Sequence, residues 1–182
     1  MKTRRGIIAS GLAVATGGCL GGFGEDPYYT VDARVVNRDV GVLEPTIGVP
    51  DSAISAESTA TVEISLQNQS FRSVRFRQPS EQNRFGSPYS VDREAALAEP
   101  DNVIRTAVDD SSPCWRQIEP QSNWSLFDVY RIRPWVPESR LYSVAAPHGD
   151  GCLSPGTYTF ESKFGRSEEN TSWTFELEIH EA

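Results

Sequence analysis

Lysine is nearly missing from this chain: it occurs at Lys2 and Lys163, and every other base is an arginine. Histidine is as scarce, at His148 and His180, and methionine occurs once. Against 25 acidic residues stand 17 basic ones, a net charge of −8. With so few cations and no basic run, a nucleic-acid partner is excluded, because phosphate binding draws its affinity from clustered Lys and Arg. Long apolar runs are absent too. The stretch from Gly6 to Gly18 falls short of the about 20 residues that a membrane-spanning helix needs, and no later segment is longer. Three cysteines occur, none in a C-x-x-C pair, which argues against a four-ligand zinc site. There is no G-x-S-x-G, the strained turn that presents a serine nucleophile, and no D-x-D-x-D-G calcium loop. The sequence predicts a non-enzymatic protein without metal or cofactor.

What is present begins with Lys2, Arg4 and Arg5, followed by small and apolar residues up to Gly18, then Cys19. This is the layout of a signal peptide: a positive start, a short apolar stretch and small residues before a cut. The alternative is an N-terminal helix packed on a domain, which Gly17-Gly18 and Gly21-Gly22 would weaken. The expected organisation is a signal segment at 1–18, disordered or helical, a tether at 19–27 and one domain at 28–182. Residues 20–27 reach at most about 28 Å. Without residues 1–18, which hold Lys2, Arg4 and Arg5 and no acid, the balance is 14 basic to 25 acidic residues, a net of −11. The remaining 164 residues suit a single domain that buries roughly two thirds of its surface.

Thr3-Arg4-Arg5-Gly6-Ile7-Ile8 resembles a twin-arginine export signal, and Thr16-Gly17-Gly18-Cys19 resembles a lipobox, with Thr16 where leucine is usual. The resemblance implies export of a folded protein, cleavage before Cys19 and a diacylglycerol on its thiol. Two acyl chains anchor stably where one is marginal. Excess acid with almost no lysine resembles proteins of salt-loving archaea, in which surface carboxylates hold water and ions while salt screens ordinary repulsion. A GC-rich coding bias toward arginine is the rival explanation. Together these features resemble a haloarchaeal-type twin-arginine-exported lipoprotein. That implies a glycoprotein on the extracellular face of the cell membrane, with the lipid anchor as its membrane contact.

Cys114 and Cys152 remain. In an oxidising compartment such a pair is expected to form a disulfide. Free thiols are one alternative; a metal site with His148 is another, with fewer ligands than a structural zinc needs.

Period-two alternation dominates from Tyr28 onward. Tyr29, Val31, Ala33 and Val35 alternate with polar neighbours, as do Val62, Ile64 and Leu66 within Thr59–Asn68, and Val74 and Phe76 within Phe71–Gln78. Leu126, Val129 and Ile132 lie in a less regular stretch, Trp124–Arg133. Further short strands are expected near Thr46–Val49, Val103–Val108 and Arg140–Ala145. The clearest pair closes the chain. Tyr158, Phe160, Ser162 and Phe164 share one face; Trp173, Phe175, Leu177 and Ile179 share another, with Thr174, Glu176, Glu178 and His180 outward. Gly165–Thr171 is expected to join them as a hairpin loop. One short helix is predicted over Val91–Glu99, capped by Ser90 and stopped by Pro100. About eight short strands with turn signals between them predict an all-β antiparallel sandwich.

Leu153-Ser154-Pro155-Gly156-Thr157-Tyr158 resembles the L-x-P-G-x-Y segment of immunoglobulin-like sandwiches, whose tyrosine hydroxyl bonds back to the nearby backbone. Cys152 precedes this tyrosine, whereas immunoglobulin domains place a cysteine after it, so the disulfide is expected to clamp a loop near one end rather than bridge the sheets. Thr61–Ser70 and Cys114-Trp115-Arg116 resemble strand patterns of proteinase inhibitors of the BsuPI type, also β-sandwiches.

The candidate sites are modest. His148, Asp150 and Ser154 sit on one turn-rich loop; a hydrolase would need such residues to converge on a nucleophile, and residues this close in sequence are expected to be a polar loop. Asp109-Asp110 and Glu168-Glu169 read as solvated acidic faces. Trp135, between Pro134 and Pro137, is the exposed aromatic best placed for a ligand, and Arg131 and Arg133 beside it are candidate anion contacts. Sequons at Asn68, Asn123 and Asn170 are candidate glycan acceptors. The expected function is a lipid-anchored surface module that binds a protein, a glycan or the envelope. The alternatives are an accessory subunit of a membrane complex, an inhibitor-like sandwich or a small hydrolase.

Overall fold

The computed structural model describes residues 26–79, 87–106, 114–119, 127–149, 151–166 and 169–182. Twelve strands run through them: β1 Tyr29–Asp39, β2 Leu43–Asp51, β3 Ala53–Ile54, β4 Thr61–Asn68, β5 Val74–Pro79, β6 Ala96–Ala98, β7 Val103–Thr106, β8 Cys114–Gln117, β9 Phe127–Ile132, β10 Glu138–Ala145, β11 Gly156–Arg166 and β12 Glu169–Glu181. Their pairings are all antiparallel. A six-stranded sheet has the order β3-β1-β12-β11-β5-β9, a four-stranded sheet the order β2-β4-β10-β6, and β7-β8 form a separate ribbon. The protein is an all-β antiparallel sandwich.

Alternation explains the packing. Every second side chain of a strand points to the same face. On β12 this buries Trp173, Phe175, Leu177 and Ile179; on β4 it buries Val62, Ile64 and Leu66 from the opposing sheet. All belong to one core cluster. Phe160 on β11 lies directly across from Phe175, and their rings stack at 5.0 Å with planes 2° apart. Trp173 packs on Phe175 at 4.8 Å. Truncating a side chain such as Trp173 to alanine costs about 3–5 kcal/mol.

Tyr158 makes the corner that its sequence motif implies. Its hydroxyl donates to the Ser154 carbonyl at 2.7 Å and accepts the Ser154 amide at 3.3 Å. The buried ring thus keeps its polar tip satisfied.

Two expectations are corrected. Val91–Glu99 is not a helix. Ser90 Oγ accepts the amides of Glu94 and Ala95 at 3.1 and 2.9 Å, as a cap would. However, Arg93 stands at φ 63°, in the left-handed region, and ends the turn. Ala96–Ala98 then pair with Ala145–Ser143 of β10. All of Ala95–Ala98 are fully buried. A helix offers the core only one stripe, whereas all four of these side chains are buried, so tertiary burial overrides alanine's helical preference, which is the highest of any residue but only a weak prior. The described residues hold one 3-10 turn, Pro100–Asn102, and no α-helix. The terminal hairpin is also longer than expected: β11 and β12 remain paired to Arg166↔Glu169.

Register divides the sandwich into two poles. Tyr29 pairs with Glu181 and Ile54, and Gly156 with Ile179, so these share one end, the near pole. Asp39, Leu43, Asn68 and Glu138 fall at the other end, as does the tip of the β11–β12 hairpin. Strand β1 alone spans about 33 Å between them at roughly 3.3 Å per residue.

Candidate binding surface

At the far pole the chain leaves β9 and crosses from the six-stranded sheet toward β10. Asn68, the last residue of β4, organises that crossing. It is fully buried. Its amide nitrogen donates to the carbonyls of Arg72 (2.8 Å) and Ile132 (3.2 Å), and its side-chain oxygen accepts the Ser70 amide at 2.9 Å and the Ser70 hydroxyl at 2.7 Å. Its backbone carbonyl accepts the Trp135 amide at 2.9 Å, and Gln67 Nε2 donates to the Trp135 carbonyl at 3.2 Å. These bonds hold Trp135 at φ 61°, a conformation that a bulky residue adopts only when its surroundings enforce it.

The enforced backbone turns the indole outward. Trp135 is 48% exposed and Phe71 is 89% exposed. Their rings meet edge to face at 5.7 Å, with planes 71° apart. Sequence reasoning singled out Trp135 and missed Phe71, which reads as the start of a strand but lies in the loop that Asn68 ties down.

Strands β5 and β9, which border the loop of Phe71 and the crossing of Trp135 in sequence, present an outward face of their own. Val74, Phe76 and Ile132 point inward, which sends Arg75 and Arg131 outward, directly opposite each other. Arg72 and Arg133 are exposed next to them. Among the described residues, none of these four guanidinium groups meets a carboxylate. Elsewhere the same chemistry is paired: Arg34 contacts Glu176 across strands at 2.6 Å. Like charges directly opposed on a sheet are destabilising, by up to about 1 kcal/mol. Alternation placed Arg75 outward in the sequence; only the β5–β9 register places it against Arg131.

The near pole carries a cleft of about 440 Å³, lined by Arg93, Glu94, His148, Cys152, Ser154 and Tyr158 among others. Cys114 and Cys152 form the expected disulfide there, with Cα atoms 5.2 Å apart. It closes a loop at the end of the sandwich, and it replaces the free-thiol and metal alternatives for this pair. Arg116 Nε donates to the Gly151 carbonyl at 2.9 Å and lies 3.3 Å from the Cys114 sulfur. His148 and Ser154 border one cleft, but among the described residues no hydrogen bond joins them; Ser154 Oγ lies 3.3 Å from the Tyr158 hydroxyl instead. Asp150 and Asp109-Asp110 lie outside the described residues. Among those described, no three metal-capable side chains converge, and no helix is long and apolar enough to cross a membrane.

Of the three sequon asparagines, Asn68 is buried and hydrogen-bonded in the folded domain. A buried amide nitrogen that makes two hydrogen bonds offers no acceptor to a glycan in the folded domain. Asn123 lies outside the described residues, as do Arg4, Arg5 and Cys19. The backbone of Asn170 pairs with Gly165, and its side chain lies outside what is described. Compared with known proteins, the chain matches no family model, no curated protein and no solved structure.

Proposed function

We propose that this protein is a non-enzymatic binding module, anchored by a lipid on Cys19 at the outer face of the cell membrane, with its far pole as the contact surface. The observation that carries the proposal is the outward Trp135–Phe71 pair, rigidly mounted on Asn68 and flanked by arginines that have no carboxylate partner among the described residues. Aromatic and arginine side chains are the groups on which binding energy concentrates. The disulfide fits an oxidising compartment outside the cytoplasm. The export and lipidation motifs of residues 1–19 rest on sequence alone.

The topology adds a direction. The tether enters at Tyr29, on the near pole, so a lipid on Cys19 keeps that end within about 28 Å of the membrane. The aromatic pair lies at the opposite pole, roughly 33 Å away along β1, within reach of envelope components beyond the membrane surface. The second reading, an accessory subunit of a membrane complex, is favoured by the near-pole cleft, which faces the anchored side.

Detergent extraction of whole envelopes separates the two. In the first reading, wild-type protein stays with the sedimenting envelope after the lipids are dissolved, and the Trp135→Ala variant becomes soluble. Equal extraction of both forms contradicts far-pole binding.

A further inference from the structure

We infer that the Cys114–Cys152 disulfide is a site of thiol exchange: a small thiol that enters the near-pole cleft joins Cys152, and Cys114 leaves as a thiolate held by Arg116. The inference concerns the opposite end of the domain from Trp135 and does not depend on the far-pole reading.

The two cysteines are placed unequally. Cys114 is 1% exposed, on β8. Cys152 is exposed and lines the cleft of about 440 Å³ together with His148, Ser154 and Tyr158. An attacking thiolate therefore reaches Cys152 first, and access helps decide which sulfur of a disulfide is attacked. A cleft of this volume is the size that takes a small molecule.

Arg116 governs the leaving group. Its Nε–H donates to the Cys114 sulfur at 3.3 Å, and its Nη2 lies 3.8 Å from the Cys152 sulfur. The same Nε donates to the Gly151 carbonyl at 2.9 Å, which fixes the guanidinium against the loop that carries Cys152. Burial alone makes a cysteine a poor thiolate, and a neighbouring arginine makes it a better one. At Cys114 the two effects oppose each other. Burial also keeps away the water that would screen the guanidinium, so the contact strengthens where desolvation costs most. A sulfur that is more stable as a thiolate leaves faster.

The exchange balances. The small thiol gives its proton to solvent and attacks as the thiolate. Its sulfur bonds to the Cys152 sulfur while the Cys114–Cys152 bond breaks, and the bonding pair goes to Cys114. The incoming sulfur is oxidised and the Cys114 sulfur reduced. Return attack by Cys114 restores the clamp and releases the small thiol.

The fold is built to survive the opening. Strand β8 is tied down without the disulfide: the Gln117 amide donates to the Ala146 carbonyl at 3.0 Å and the Ala146 amide to the Trp115 carbonyl at 2.8 Å. The Trp115 indole donates to the Ser55 carbonyl at 3.0 Å. On the other side Leu153 is buried and Tyr158 holds Ser154. Exchange therefore releases the rim of the cleft and leaves the sandwich standing.

The test uses the full-length protein, folded in detergent micelles, with excess glutathione as the small thiol. Samples are quenched in acid, unfolded, alkylated and mapped by mass spectrometry. The expected result is glutathione on Cys152 and the alkyl group on Cys114, in a protein that still melts cooperatively. Arg116→Gln slows the opening several-fold at fixed pH, and Arg116→Lys restores part of the rate. A merely structural role for Arg116 predicts the reverse, because a loosened loop exposes the disulfide and speeds its opening. Glutathione on Cys114, or an Arg116→Gln variant that opens as fast as the wild type or faster, overturns the inference. So does a disulfide that resists glutathione until urea unfolds the domain; Cys114–Cys152 is then a structural clamp alone.

Discussion

Arg75 and Arg131 face each other across β5 and β9 with both guanidinium groups exposed and, among the described residues, no carboxylate beside either. A few strands away, Arg34 and Glu176 occupy the corresponding kind of cross-strand position as an ion pair. The fold therefore accommodates a stabilising pair where one is encoded. Arg75→Glu is predicted to raise stability by roughly 0.5–1 kcal/mol at low salt, by replacing a like-charge pair with an opposite one. A lower melting temperature for the variant would mean that the arginines are not in conflict.

Asn68 carries the far pole, and its loss should be felt there first. Asn68→Ala leaves the carbonyls of Arg72 and Ile132 without their donors, at a cost of about 2–3 kcal/mol. For a domain of this size the melting temperature should fall by roughly 2–4 °C for each kcal/mol. A variant that melts with the wild type would show that the loop is held by other means.

Gln117 is a different case. It is buried, and neither atom of its amide has a hydrogen-bond partner among the described residues. Unpaired buried polar groups cost about 1–3 kcal/mol. Gln117→Leu, of similar size, is predicted to stabilise the domain by about 1 kcal/mol in denaturant titration. Destabilisation would instead reveal that the amide is satisfied through bound water.

The clamp at the near pole closes a loop between Cys114 and Cys152, 38 residues apart. The chain-entropy argument gives up to roughly 4 kcal/mol for such a loop. Reduction, or Cys114→Ser, should lower the unfolding free energy by a few kcal/mol. Thiol counting on the native mature protein should find neither cysteine free; two reactive thiols would contradict the clamp.

How much of this was legible in the sequence follows from where each residue's partners lie. The alternation of β12 could be read directly, because one face is buried and the other is not, and local periodicity records that difference. Tyr158 could be read because its partner, Ser154, is four residues away. Ala95–Ala98 misled, because their strand partner is β10, which arrives much later in the chain. Trp135 stood out between prolines, but Phe71 joined it only through the loop that Asn68 holds, and Arg75 met Arg131 only through the β5–β9 register. A sequence shows which side chains are outward; it does not show which outward side chains are neighbours. For the same reason the sequon at Asn68 gave no sign that this side chain is the buried support of the Trp135 turn.

The central claim is that contact is made at the far pole, away from the tether. Photo-crosslinking in intact cells tests it most directly, with benzoylphenylalanine placed at position 71 and, for comparison, at position 91. Phe71 and Val91 are both exposed, but Phe71 is packed against Trp135 at the far pole while Val91 is bonded to Thr159 near the tyrosine corner. The account predicts envelope adducts from position 71 and few from position 91. Adducts from position 91 alone, or equally from both, would contradict it.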